Sequence, residues 1–68
     1  MKKEVRKGIE QFIKQGYCEM STPNNFRLVM RELTEMYGIE NLNVQYIEDN
    51  RLTSVWRIEL NSYYKQAN

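Results

Sequence analysis

In the stretch VQYIEDNRLTSVWRIEL, residues 44–60, apolar and polar side chains alternate on both sides of a polar turn. Period-two alternation is typical of a half-buried β-strand, and two such strands around a short turn form an antiparallel hairpin. We therefore expect a hairpin with one face in the core. With Leu42, which continues the alternation, the apolar residues of that face are Leu42, Val44, Tyr46, Leu52, Trp56, Ile58 and Leu60.

The register of this hairpin follows from keeping the apolar residues of both strands on one face. A two-residue turn at residues 49–50 would place Asn43 opposite Trp56 and mix the faces. A three-residue loop, Asp49-Asn50-Arg51, keeps the faces separate, and Asp and Asn suit such a loop because they tolerate left-handed backbone. The predicted pairs are Leu42–Ile58, Val44–Trp56, Tyr46–Ser54 and Glu48–Leu52.

The second face of the hairpin carries two apolar residues where polar ones are expected. In the predicted register Ile47 lies opposite Thr53 and diagonal to Val55, so the two apolar side chains form one patch. Ordinary β-propensity explains such residues at half-exposed positions, and Tyr63 and Tyr64 could fold back over them. The other explanation is a protein partner, with interface candidates Ile47, Val55, Thr53, Tyr63 and Tyr64.

Two amphipathic helices are predicted before the hairpin, because apolar residues recur at helical spacing. The first spans residues 2–15, and the second begins at Pro23 after the N-cap Thr22 and ends at Gly38. Gly8 lies inside the first helix, where it costs ~1 kcal/mol relative to Ala, which indicates close approach of another element. The apolar stripes are Val5, Ile9, Phe12 and Ile13, then Phe26, Val29, Met30, Leu33 and Tyr37.

This order of elements predicts an α+β fold, in which two amphipathic helices pack on one face of a C-terminal antiparallel β-hairpin. Residues 17–20, YCEM, are either a short third strand or a connector. A third strand would matter because an isolated hairpin is marginal in water. We expect one compact domain over residues 1–61 and a C-terminal tail over residues 62–68.

The composition argues against several kinds of chemistry. The 68 residues include one cysteine and no histidine, so neither an intramolecular disulfide nor the usual zinc or Cys-His sites can form. Cys18 precedes Glu19, whose carboxylate raises a thiol pKa instead of activating the thiol. We therefore expect no enzyme activity, no cofactor and no metal. A lone thiol, with neither an export signal nor an apolar run of membrane length, favours the cytoplasm.

The small size of the chain favours a partner. A domain of this length buries only ~60% of its unfolded surface, and small domains commonly add a disulfide, a metal or a second chain. The first two do not apply here, which leaves a second chain or an unusually tight core. A homodimer could arise by pairing two hairpins edge to edge into a four-stranded sheet.

A basic cluster at the start of the first helix supports an alternative function. Four cations occupy the first two turns, where the helix dipole disfavours them, and such a surface can meet a phosphate backbone. Glu4 and Glu10 interrupt the cluster, and the net charge is only +1. We therefore expect a non-enzymatic interaction protein of adaptor or inhibitor type, with nucleic-acid binding as the alternative. The nucleic-acid candidates are Lys2, Lys3, Arg6, Lys7 and Lys14.

Overall fold

The computed structural model of the protein describes residues 2–49 and 53–61. Two helices and three strands make an α+β fold, as predicted. The elements in chain order are helix α1 (Lys3–Gln15), strand β1 (Tyr17–Met20), helix α2 (Pro23–Tyr37), a 3-10 turn (Ile39–Asn41), strand β2 (Leu42–Asp49) and strand β3 (Thr53–Leu60).

Both helices end at glycines, as predicted. Gly16 follows α1 with a left-handed φ of 85°, and its N–H donates to the Phe12 carbonyl at 2.8 Å. Gly38 follows α2 with a φ of 90°, so both positions favour the residue that has no Cβ. At its start, α2 has Pro23 in the first turn, where the missing N–H costs nothing.

Residues 17–20 are a strand, which settles the alternative that the sequence left open. The sheet order is β1-β3-β2, with β3 antiparallel to both neighbours. Cys18 lies opposite Ile58 and Met20 opposite Trp56. The hairpin is thus part of a three-stranded sheet, and β3 is its central strand.

The predicted register of the hairpin is wrong by two residues. Tyr46 lies opposite Trp56, and Asp49 opposite Thr53, so residues 50–52, which lie outside the described residues, join the strands in place of residues 49–51. A two-residue shift keeps every side chain on its predicted face. Matching the faces therefore could not separate the two registers. The structure instead has the pairs Leu42–Leu60, Val44–Ile58, Tyr46–Trp56, Ile47–Val55 and Glu48–Ser54.

The core lies between the two helices and the even-numbered residues of the sheet. Its buried members are Val5, Phe12, Cys18, Met20, Val29, Leu33, Leu42 and Ile58. Phe12 also contacts Tyr37, with ring centroids 5.3 Å apart. Ile13 was predicted on the buried stripe, but it is 55% exposed. The stripe of α1 is narrower than predicted because Val5, Gly8 and Phe12 already fill the contact with the sheet and α2.

Gly8 is buried where α1 crosses β1 and α2. A Cβ at this position would lie 2.8 Å from Met20 Sδ and 3.4 Å from Val29 Cγ2. The close approach of another element that the sequence predicted is therefore present, and Met20 is the residue nearest to this position.

Candidate functional site

The backbone of β2 directs hydrogen-bonding groups away from the sheet. The Asn61 N–H donates to the Asn41 carbonyl at 2.8 Å across the β2–β3 ladder. Since alternate residues of an antiparallel ladder face the same neighbour, the odd-numbered residues of β2 face β3 and the even-numbered ones face outward. On the other side of β3, the Leu60 N–H donates to the Gly16 carbonyl at 2.9 Å, which fits the same alternation.

We call the outward-facing N–H and carbonyl groups of these even-numbered residues the open edge of β2. It consists of the carbonyl of Leu42 and the N–H and carbonyl groups of Val44, Tyr46 and Glu48, because the Leu42 N–H already donates to the Ile39 carbonyl. No strand among residues 2–49 and 53–61 pairs with it.

Over residues 42–47, the open edge lacks the usual protection against pairing with another chain, and the charged residues of β2, Glu48 and Asp49, come after this stretch. Proteins protect edge strands by keeping them short or by adding charges, prolines or bulges. Strand β2 has eight residues, and residues 42–47, LNVQYI, contain neither a charge nor a proline. The opposite edge of the sheet, β1, has four residues and carries the exposed Glu19. The two edges therefore differ, and β2 is the one suited to pairing.

Apolar side chains flank the open edge on the side of the helices. Val44 is 44% exposed and Tyr46 is 55% exposed, although both were predicted to be in the core. Within residues 42–47 of β2, only Leu42 is buried. Because β1 pairs with β3, the helices sit over that half of the sheet, and β2 extends beyond them.

An aromatic cluster holds Tyr46 next to the open edge. The Trp56 ring stacks on Phe26, with centroids 5.5 Å apart, and tilts against Tyr46 at 5.2 Å. Such ring pairs contribute ~0.5–1.5 kcal/mol beyond their buried area. The cluster therefore gives the exposed edge a preformed apolar flank.

The opposite face of the sheet contains the predicted apolar patch. Ile47 and Val55 are direct partners and not diagonal neighbours, and Ile47 is 43% exposed while Val55 is half-buried. Thr53 is the first residue of β3, opposite Asp49. The structure thus brings Ile47 and Val55 together, while the two candidate tyrosines, Tyr63 and Tyr64, lie outside the described residues.

Beyond this patch, the same face carries an ion-pair network centred on Arg57. Arg57 Nε donates to Glu59 Oε1 at 2.9 Å, and Arg57 Nη1 donates to Glu19 Oε2 at 3.1 Å. The hydrogen bond to Glu59 is the main reason that the pKa of Arg57 rises above its ordinary value. The guanidinium also lies 4.1 Å from the centre of the Tyr17 ring. These contacts limit the apolar patch to the hairpin end of the sheet.

The basic candidate residues lie at different places on the described surface. Lys2 lines an open groove of about 540 Å³ together with Asn24, Arg27, Leu28 and Arg31. Arg27 Nη2 donates to Asn24 Oδ1 at 3.0 Å. Neither Lys2 nor the two arginines form an ion pair with any described residue. The groove therefore brings two cations of α2, Arg27 and Arg31, close to Lys2.

The remaining basic candidates are spread along α1. Lys3, Arg6, Lys7 and Lys14 are all exposed. Lys7 lines a different groove, where Glu4 and Glu19 are also present. Lys14 lies twelve residues after Lys2, which is about 18 Å along a helix.

Cys18 has the surroundings of a structural cysteine. It is fully buried, and burial, followed by the nearby Glu19 carboxylate, raises the pKa of its thiol to about 11. The thiolate, which is the nucleophilic form, is therefore scarce at neutral pH. The part of the chain that the structure describes contains no group of three or more metal-ligating side chains. None of its helices is long and apolar enough to cross a membrane.

Sequence reasoning identified the apolar patch of Ile47 and Val55 but missed the exposure of Val44 and Tyr46. The relevant signal in the sequence is weak: Cys18 and Met20 alternate with Tyr17 and Glu19, but four residues do not distinguish a strand from a connector. Once this strand pairs with β3, β2 becomes the edge. Comparisons with protein-family models, with curated proteins and with solved structures found no match.

Proposed function

We propose that the protein acts by binding another polypeptide at the open edge of β2, as a small interaction protein of adaptor or inhibitor type. The observation that carries the proposal is an eight-residue edge strand whose outward backbone groups lie beside exposed Val44 and Tyr46. Strand addition to such an edge takes its affinity from main-chain hydrogen bonds and its specificity from alternate side chains.

The open edge also defines the chemistry of the partner. The partner supplies an extended segment whose backbone groups match those of Val44, Tyr46 and Glu48. Its side chains on the helix side are apolar or aromatic, because they would lie beside Val44 and Tyr46.

A proline at position 44 tests whether binding depends on a backbone N–H group of the open edge. The Val44 N–H faces outward, so Val44→Pro removes a donor from the open edge without removing a β2–β3 hydrogen bond, and proline is tolerated at such edge positions. Val44→Thr is the matched control because it retains both the donor and the β-branched shape. Circular dichroism checks that both variants fold, and Val44→Lys replaces the proline variant if that one does not.

The assay is affinity capture from a nuclease-treated lysate of the native host, compared across these variants. We expect proteins captured by the wild type and by Val44→Thr to be lost with Val44→Pro. The same proteins captured by all three chains would show that the open edge is not the binding site.

The basic groove favours nucleic-acid binding as a second candidate function. Lys2, Arg27 and Arg31 lie around one opening, and cations that contact phosphates give affinity that falls steeply with salt. Opposing this, Glu32 lies beside the groove, together with Lys2 and Arg31. The candidate therefore rests on three cations, which is a small number for a nucleic-acid surface.

Charge reversal distinguishes the groove from a nonspecific basic surface. We expect Arg31→Glu to weaken binding to a duplex RNA or DNA probe at 50 mM salt by roughly tenfold or more, whereas Lys14→Glu, outside the groove, has little effect. Equal loss in the two variants, or no binding by the wild type at low salt, would refute this function.

A further inference from the structure

We infer that a second copy of this chain binds the open edge, so that two β2 strands pair antiparallel around a two-fold axis at Gln45. The inference rests on the proposed function and names its partner. Pairing of the two β2 strands would make one six-stranded sheet, in the order β1-β3-β2-β2-β3-β1. The four-stranded sheet predicted from sequence is wrong for this chain, because β1 already occupies the second edge of β3.

Symmetry restricts the possible registers. A two-fold axis perpendicular to the sheet keeps the helix side of one copy next to the helix side of the other. Opposed residues must then both be even-numbered or both odd-numbered, because successive side chains of a strand alternate between faces. The axis therefore passes through a residue, and the axes near the middle of β2 are those at Val44, Gln45 and Tyr46.

Backbone hydrogen bonds exclude one of these three axes. The Leu42 N–H already donates within its own chain, so it adds nothing across the interface. Counting the remaining outward groups gives about six hydrogen bonds for an axis at Gln45 or Tyr46, and about four for an axis at Val44.

Side chains then favour the axis at Gln45. This register places Val44 opposite Tyr46 of the other copy, twice by symmetry, which is a favourable aromatic and β-branched pair. An axis at Tyr46 would instead leave one apolar pair, Tyr46 with itself, and would place Val44 opposite Glu48 of the other copy. The Gln45 axis places Leu42 opposite Glu48, so it keeps both Val44–Tyr46 pairs. The Gln45 axis also keeps the two Glu48 residues about 20 Å apart, against about 14 Å for the Tyr46 axis.

The second copy is the partner that the chain's own chemistry fits. Its β2 strand presents the alternate apolar residues and the uncharged middle that the open edge requires, with its two acidic residues at the end. The net charge of +1 gives little repulsion between copies. Pairing also covers Val44 and Tyr46, the exposed apolar residues beside the edge. Since the interface is small, we expect a dissociation constant on the order of tens of micromolar.

Disulfide trapping tests both the dimer and its register in the full-length chain. In the Gln45 register, Gln45 opposes itself at a non-hydrogen-bonded position, where Cα atoms lie about 4.5 Å apart and a disulfide can form. Asn43 lies on the same face of β2, but its two copies would be about 14 Å apart. We therefore expect Gln45→Cys to form a covalent dimer under mild oxidation and Asn43→Cys to remain monomeric. The buried native thiol of Cys18 does not compete.

Light scattering over a concentration series provides the non-covalent measurement. We expect the wild-type mass to rise toward that of a dimer up to about 1 mM, and Val44→Pro to raise the dissociation constant roughly tenfold or more through two lost hydrogen bonds. Trapping through Asn43→Cys but not Gln45→Cys would overturn the register. A wild type that stays monomeric, together with capture of another protein that Val44→Pro abolishes, would overturn the dimer and leave the proposed function standing. Dimerisation that Val44→Pro does not weaken would overturn the dimer through β2, and capture of another protein that Val44→Pro does not weaken would overturn the proposed function.

Discussion

Gly8 offers a test of how α1 packs on β1, because helix propensity and packing predict opposite effects of Gly8→Ala. Propensity alone predicts that the substitution stabilises the protein by ~1 kcal/mol. The added Cβ would lie 2.8 Å from Met20 Sδ, closer than real Cβ contacts. Met20 is itself buried, and Val29 Cγ2 lies 3.4 Å from the same position, so the methionine side chain has little room to move away. Overpacking of this kind costs ~1–3 kcal/mol. We therefore expect Gly8→Ala to lower the free energy of unfolding by ~1 kcal/mol.

A double-mutant cycle isolates the contact between the new Cβ and Met20. Met20→Val removes the sulfur and introduces a β-branched residue that suits a strand. In that background Gly8→Ala should stabilise the protein by ~1 kcal/mol. The coupling energy between the two sites is then ~2 kcal/mol. The assay is urea unfolding followed by circular dichroism, at one protein concentration because dimerisation shifts apparent stability. The same stabilisation by Gly8→Ala in both backgrounds would refute the packing of α1 on β1 through this contact.

Two further predictions concern the core. The pKa of Cys18 is raised from its ordinary 9.0 to about 11 in the folded protein, so its contribution to stability is complete below pH 9 and is lost as the pH rises toward 11. In urea unfolding, Cys18→Ala should therefore lose less stability than the wild type when the pH is raised. An identical loss of stability would contradict the burial of Cys18. Leu33→Ala should lower the free energy of unfolding by ~2–5 kcal/mol because Leu33 is fully buried. Ile13→Ala should lower it by less than ~1 kcal/mol because Ile13 is half-exposed. Equal losses in the same assay would contradict the assignment of the core.

The elements of this fold were predictable because their signals are local. Apolar spacing and the glycines at positions 16 and 38 gave both helices nearly to the residue. The alternation of residues 44–60 gave both strands of the hairpin and assigned each side chain to its face. These predictions succeeded because each depends on neighbours within a few positions.

The features that depend on distant contacts were not predictable in the same way. A two-residue shift of the hairpin leaves both faces unchanged, so alternation could not choose between Trp56 opposite Val44 and Trp56 opposite Tyr46. The exposure of Val44 depends on which half of the sheet the helices cover. That in turn depends on β1 pairing with β3, which four residues of sequence could not establish.

In the candidate site, too, features set by neighbouring residues were predictable, whereas features set by distant contacts were not. Sequence located the apolar pair of Ile47 and Val55, because it requires only the face of each residue. It could not locate the open edge, because an edge is a property of the strand order β1-β3-β2. The basic groove likewise depends on α2 lying beside the start of α1, where Arg27 and Arg31 meet Lys2.

Amide hydrogen exchange along β2, measured by NMR across a concentration series, shows whether the outward N–H groups of β2 are open to solvent or paired with a second copy. At low concentration we expect protected amides at Gln45 and Ile47, which face β3, and fast exchange at Val44 and Tyr46 on the open edge. At about 1 mM the Val44 and Tyr46 amides should become protected as the edge pairs with a second copy. Fast exchange of these two amides at every concentration would contradict the dimer, and their protection at every concentration would contradict the open edge itself.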